Sequence, residues 1–274
     1  MDTLIVPGDT PPATGKLNTV IDSLTEIGTL SRTILLLENN SRYILDSTIV
    51  VPKEEKLTII APKPGNTQET APPQILWSDW RLITGNNRSE FMIEVFGDLE
   101  LKNLWIYFAD TTGVRLGTPI VFDGDSTTES QDIGIFENCI FESMPCPWVT
   151  ASGVICVRSK HFNGKFSNCY FRNCTDDHYK YYGRAVSFPY DSFGWHIDSL
   201  SFENCTFANM GYVYSQERVN TENIGNYADY VNFNHCTFAN IMMFSLQSGW
   251  WYKASVTNSL WVNGFMAGHQ SAYY

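Results

Sequence analysis

At 274 residues, with 43% hydrophobic and only 17% charged side chains, the chain has the composition of a folded protein whose surface is built more from amides and hydroxyls than from charges. Its net charge of −11 excludes the basic footprint that nucleic acid requires and disfavours an anionic membrane, while leaving room for a local basic patch that meets an acidic glycan. No stretch reaches the ~20 apolar residues of a membrane span, and the opening MDTLIVPGDT has neither the basic start nor the apolar core of a secretory leader.

In chain order, LNTVIDSLTEIG (17–28) places Leu17, Val20, Ile21, Leu24 and Ile27 on one helical face, and Gly28 is positioned to end the helix. Three extended runs follow: TILLLENN (33–40), YILDSTIVV (43–51) and KLTIIAP (56–62). PKPGNTQETAPP (62–73) reads as a loop, because strand character resumes at QILW. An eight-residue frame, F-x-N-C-x-F-x-N, then recurs. Clear copies begin at Phe136, Phe166, Phe202 and Phe233, and looser ones at Leu101 and Val256. Unequal spacing around a fixed frame predicts constant rungs carrying variable loops.

Strand side chains alternate faces, so the Cys and the second Phe of the frame share a face while the leading Phe has the opposite parity. All three are apolar, so they reach one core only if the chain bends between them. The third position supplies the bend: Asn103, Asn138, Asn168, Asn204 and Asn258. Asn is the non-glycine residue that best tolerates the left-handed region. The eighth position repeats Asn at 173, 209, 240 and 263, which predicts a side-chain ladder along one edge. A further strand is expected once per unit, at 118–124, 152–159, 183–188, 210–215 and 242–248. Three short strands and their corners per turn predict a solenoid of stacked parallel sheets around a shared core, with helix 17–28 plugging its first turn. Cys139, Cys169, Cys205 and Cys236 are expected as a stack of buried free thiols, since no Cys/His spacing supports zinc. Cys146–Cys156 and Cys169–Cys174 remain open as bridges, and the odd count of seven leaves a thiol over.

The Asn corners and Asn–Cys–x–Phe rungs resemble those of right-handed parallel β-helix proteins of the pectin lyase-like superfamily, in particular the β-helix repeat proteins of bacterial cell surfaces, from about Ile34 to the end. The resemblance implies an all-β, right-handed parallel β-helix in a single domain with three strands per rung. It also implies an extracellular or cell-surface location and a monomer that engages a polysaccharide, an acidic glycan above all. It places substrate along the third strand of each rung, between loops. CTDDHYKYYGR is the richest of these loops: Lys180 or Arg184 would act as base or clamp in a lyase, and Asp176 or Asp177 would hold a calcium ion, with His178 beside them. The hydrolases of the superfamily carry an N-T-D segment, a D-D pair, a G-H-G and an R-x-K, and only the D-D is found here. Arg158, Asp123 and Asp125 are further candidates on the same sheet. A second edge carries Lys160, His161, Asp191, Trp195, His196, Glu217, Arg218, Trp250, Trp251 and Lys253, whose aromatics and cations suit a sugar platform. The alternative is a non-catalytic adhesin or surface solenoid; a trimeric fibre would need a trimerisation segment that is not seen. No carboxyl-terminal cap is visible in FMAGHQSAYY, so the fold is expected to continue beyond it.

Overall fold

The computed structural model describes residues 1–65, 70–78, 91–111, 118–124, 131–142, 153–175, 183–188, 195–216, 227–247, 250–264 and 266–270. The chain is a parallel β-helix. Strand β1 (Asp2–Val6) and helix α1 (Lys16–Glu26) precede the coils. The first coil is β2 (Thr33–Leu37), β3 (Arg42–Leu45) and β4 (Ile49–Val51), and the second β5 (Lys56–Ile60), β6 (Gln74–Trp77) and β7 (Phe91–Val95). The third is β8 (Asp98–Lys102), β9 (Trp105–Asp110) and β10 (Thr118–Phe122), and the fourth β11 (Gln131–Glu137), β12 (Ile140–Glu142) and β13 (Ile155–Val157). The fifth is β14 (His161–Ser167), β15 (Tyr170–Arg172) and β16 (Arg184–Phe188). In the sixth and seventh, the second and third strands run together: β17 (Ile197–Glu203) with β18 (Thr206–Gln216), and β19 (Tyr227–Asn234) with β20 (Thr237–Gln247). The last described coil is β21 (Trp250–Thr257), β22 (Leu260–Val262) and β23 (Met266–Gln270).

Like strands of successive coils pair in parallel. The first face runs β1-β2-β5-β8-β11-β14-β17-β19-β21. The second runs from β3 through β6, β9, β12 and β15 into the first part of β18, and the third from β4 through β7, β10, β13 and β16 into its second part. The frame sets the register: Phe136, Phe166, Phe202 and Phe233 align on the first face, and Phe141, Phe171, Phe207 and Phe238 on the second. Both columns stack ring on ring. Phe166 and Phe233 each lie 4.6 Å from Phe202, and Phe207 lies 5.0 Å from Phe171. The two stacks meet edge to face inside the coil, as between Phe202 and Phe207 at 5.3 Å.

The corners take the expected conformation. Asn103, Asn138, Asn168, Asn204 and Asn258 have φ between 51° and 60°, and His235, which stands where the frame has Asn, follows at 52°. Asn173, Asn209, Asn240 and Asn263 turn the second face into the third with φ between 52° and 57°, even where one strand passes through the corner. Their side chains form the ladder: Asn209 donates to Asn173 at 3.1 Å, Asn240 to Asn209 at 3.0 Å, and Asn263 to Asn240 at 3.1 Å. Cys139, Cys169, Cys205 and Cys236 are buried thiols without disulfides, each donating to a carbonyl of the coil before, as Cys169 does to Phe136 O at 3.4 Å. Burial pushes the Cys169 thiol up, which leaves it inert. Cys156 and Cys174 are also thiols, and Cys146 lies outside the described residues.

Helix α1 seals the first coil with Leu17 and Ile21, while Ile27, expected on the same face, stands 68% exposed because the helix has already ended before Gly28 (φ 68°). Asn18 pins the helix: its Nδ2 donates to Ser47 O at 2.8 Å and its Oδ1 accepts from Asp46 N at 3.1 Å. Among the described residues no helix is long and apolar enough to cross a membrane.

Candidate functional site

Every second residue of the second face points outward, and in the first five coils these residues build a groove. Arg42, Gln74, Trp105 and, two coils on, Tyr170 fall in one column, through the pairs Arg42–Gln74, Gln74–Trp105, Trp105–Ile140 and Ile140–Tyr170. Tyr107, Glu142 and Arg172 fall in the next. The inward partners Ile106, Phe141 and Phe171 are buried in the core, which fixes the outward aim of these side chains. Arg42, Gln74, Trp105, Tyr107, Glu142 and Arg172, with Leu76 and Thr111, line an open cavity of about 420 Å³ that spans the first five coils, and Tyr170 lies beside it against Arg172.

Its chemistry is mixed aromatic and cationic. The guanidinium of Arg172 sits 5.4 Å from the ring centres of both Trp105 and Tyr170, and its Nη2 donates to Glu142 Oε2 at 2.6 Å. Glu142 also accepts from the corner residue Asn173 at 3.2 Å, so the Asn ladder ends on the carboxylate that positions Arg172. Trp105 stands edge-on to Tyr107 at 6.2 Å. Arg42 is exposed, so two arginines against one glutamate leave the groove with one surplus positive charge on a protein of net charge −11.

Of the residues expected to bind from sequence, Asp176, Asp177, His178, Lys180, Asp125, Asp191, Glu217 and Arg218 lie outside the described residues. Arg184 opens β16 on the third face and is buried, its guanidinium 5.8 Å from the Tyr212 ring. Trp250 opens β21, in register with Tyr227, and its side chain lies outside the described part. Arg158 meets Asp123, with Nη1 to Oδ2 at 3.7 Å, and lies 5.1 Å over the Phe91 ring. Burial and the Asp123 carboxylate push the Glu94 carboxyl up, and Arg158 draws it back. The outward column continuing from Glu94, namely Val121, Cys156, Ser187 and Ser215, is buried. His161 and His196 come together on the first face with their ring centres 6.2 Å apart, while Trp195 is buried.

The groove itself was not anticipated. Its signal is present: outward positions are the fifth and seventh of the frame, which hold Trp105 and Tyr107, Tyr170 and Arg172, and Glu142. No family model matches the chain, and no curated protein matches it.

Proposed function

We propose that this β-helix binds a polysaccharide along the groove of its second face, as a surface or secreted protein of the pectin lyase-like kind. The observation that carries this reading is the open groove lined by Arg42, Gln74, Trp105, Tyr107 and Arg172, with Tyr170 against the far side of Arg172. Sugar rings present C–H faces that stack on indole and phenol rings, and their hydroxyls suit Gln74 and Glu142. The surplus cation suits an acidic sugar: a uronate carboxylate on Arg42 or Arg172 forms a charge-assisted pair. Successive coils repeat at about 4.8 Å, close to the length of one sugar unit, so an extended chain can lay successive units against successive coils. Groove binding without turnover is an adhesin's activity. Cleavage as a lyase needs a base beside a cation, and on the third face the Arg158–Asp123–Glu94 group is one described place with such charges.

The test is a panel of neutral and acidic oligosaccharides by calorimetry, with absorbance of unsaturated uronic ends followed in parallel, with and without calcium. An acidic oligomer is expected to bind the native chain. Trp105→Ala is expected to weaken it about tenfold, or about 1.4 kcal/mol. Arg42→Ala, at an exposed position that leaves the core intact, is expected to weaken it and to flatten its salt dependence. A folded chain that ignores every acidic oligomer sinks the proposal. A rise in absorbance that survives both substitutions places cleavage elsewhere.

A further inference from the structure

A second constellation lies at the leading edge of the first face, on coils five to seven, away from the groove residues. We propose that His196, Asp198 and Asp229 form a binding site for a divalent transition-metal ion of the zinc class, with His161 and Asn163 holding Asp198 in place.

The backbone brings two carboxylates side by side. Ile197 pairs with Ala228 and Ser199 with Tyr230, so Asp198 and Asp229 occupy matching positions on neighbouring parallel strands. Strands lie about 4.8 Å apart, and like charges facing each other at that spacing repel. A cation between them removes the conflict. His196 reaches into the same space, with Nε2 3.5 Å from Asp198 Oδ1 and 3.4 Å from Asp229 Oδ2. All three ligand atoms lie within 4.8 Å of one another. In a tetrahedral site with metal–ligand bonds of about 2.0–2.1 Å, ligand atoms stand about 3.3 Å apart. The two histidine edges are already within a few tenths of an ångström of that length.

Asp198 is also the extra residue of a bulge. In the pairing of β14 with β17, Phe162 faces Ile197 but Asn163 faces Ser199, so the register slips at Asp198 alone. The neighbouring first-face pairings β11 with β14, β17 with β19 and β19 with β21 carry no such slip. A bulge interrupts the ladder and re-aims a side chain, and bulges gather beside functional sites. Both oxygens of Asp198 are then fixed: His161 Nδ1 lies 3.1 Å from Oδ1, and Asn163 Nδ2 donates to Oδ2 at 3.4 Å. Ser199 in turn donates to Asn163 Oδ1 at 2.5 Å. His196 is held through its backbone N–H, which donates to Ser159 O at 2.8 Å. Outer-shell contacts of this kind orient metal ligands. The side chains of His196, Asp198 and Asp229 are 13%, 25% and 37% exposed, which gives an ion a path in and leaves a coordination position for water.

The donor set decides the class of ion. One imidazole nitrogen and two carboxylate oxygens suit zinc, manganese or cobalt, whereas calcium takes six to eight oxygens. A network in which His161 and His196 pair with Asp198 and Asp229 is the competing explanation, and it predicts no metal binding.

The test titrates the tag-free full chain with cobalt(II), read by its visible absorption, and with zinc by competition and calorimetry. One equivalent per chain is expected, without a sulfur-to-cobalt band, and calcium in large excess is not expected to displace it. Asp198→Asn and Asp229→Asn should each weaken binding by more than the roughly 10–100-fold that loss of an outer-shell partner costs, and His161→Gln by an amount within that range. Asp229→Asn is the safeguard on folding: it is half-exposed and its loss of charge relieves the repulsion with Asp198, so its melting temperature without metal should equal or exceed that of the native chain, while the rise on adding zinc is lost. Failure of the native chain to bind, unchanged binding in both asparagine variants, or displacement by calcium overturns the assignment.

Discussion

A residue held at positive φ constrains its own side chain, and the ladder asparagines show both halves of that constraint. Asn209 has φ 54°, donates to Asn173 and accepts from Asn240. Asn209→Ala puts a Cβ without compensation into the left-handed region, at about 1–2 kcal/mol, and removes two hydrogen bonds of about 0.5–1.5 kcal/mol each. Asn209→Gly removes the same bonds but is at ease in the backbone. Denaturant unfolding should therefore find both variants less stable than the native chain, with alanine worse than glycine by the backbone share. Equal losses would mean that the ladder alone fixes the corner. Asp132 is a residue-scale effect of opposite sign. It is 1% exposed, and burial pushes its carboxyl up to about 6, eased by the Ser159 hydroxyl and reinforced by Asp98. A folded-state value above the unfolded one means that the protonated form is preferred on folding. The contribution of Asp132 to stability is then greatest below about pH 4 and is lost as pH rises through about 6. Asp132→Asn should stabilise the chain by roughly 2–3 kcal/mol at pH 8 and by little at pH 4. A pH-independent difference between the two proteins would show that desolvation of this carboxylate is not the cause.

At the scale of the element, the unit of stability is the aromatic column rather than the single strand. Strands as short as β12 and β15 hold because Phe141 and Phe171 stack across them at 4.8 Å. Phe202 is the centre of the first-face column, stacked on both sides and met edge-on by Phe171 and Phe207. Phe202→Ala should cost about 3–5 kcal/mol, and Phe202→Leu, which keeps most of the volume, under half of that. Calorimetric melting of the pair checks it, and near-equal losses would assign the cost to ring stacking rather than to the cavity. These columns were legible in the sequence because each coil repeats the same frame. The first coils have no frame, so the alignment of Arg42 and Gln74 with Trp105 was not legible. The histidine–aspartate site was half legible. His161 and His196 stood out as residue types, but Asp198 and Asp229 become a pair only on seeing that each stands four residues before a leading Phe of the frame. The bulge then places His161 beside them, and nothing in local sequence announces a bulge.

At the scale of the molecule, a solenoid distributes its stability along one axis, because each coil contacts only its neighbours. The two ends of this chain are treated differently. Helix α1 and strand β1 cover the first coil, leaving Leu35 and Leu37 buried. In the last described coil, Val256, Leu260, Trp261 and Val262 are 39%, 58%, 42% and 40% exposed, and Trp261 stacks on Phe238 at 4.4 Å. The same frame positions one coil earlier, Phe233, Thr237, Phe238 and Ala239, include two rings buried at 1% or less. Among the described residues, an interior coil has two interfaces to break on opening, and the last described coil has one. Amide hydrogen exchange on this chain should show a gradient: slowest in β14 and β17, faster in β19 and β20, and fastest in β21 and β22. The helix should make the first coil slower than the last described one. A point substitution such as Phe202→Ala should then accelerate exchange on both of its flanks before it affects the first coil. Uniform protection from β2 to β22 would instead mean that the coils open in a single step, with an interface energy large enough to erase the difference between the helix-covered coil and the last described one.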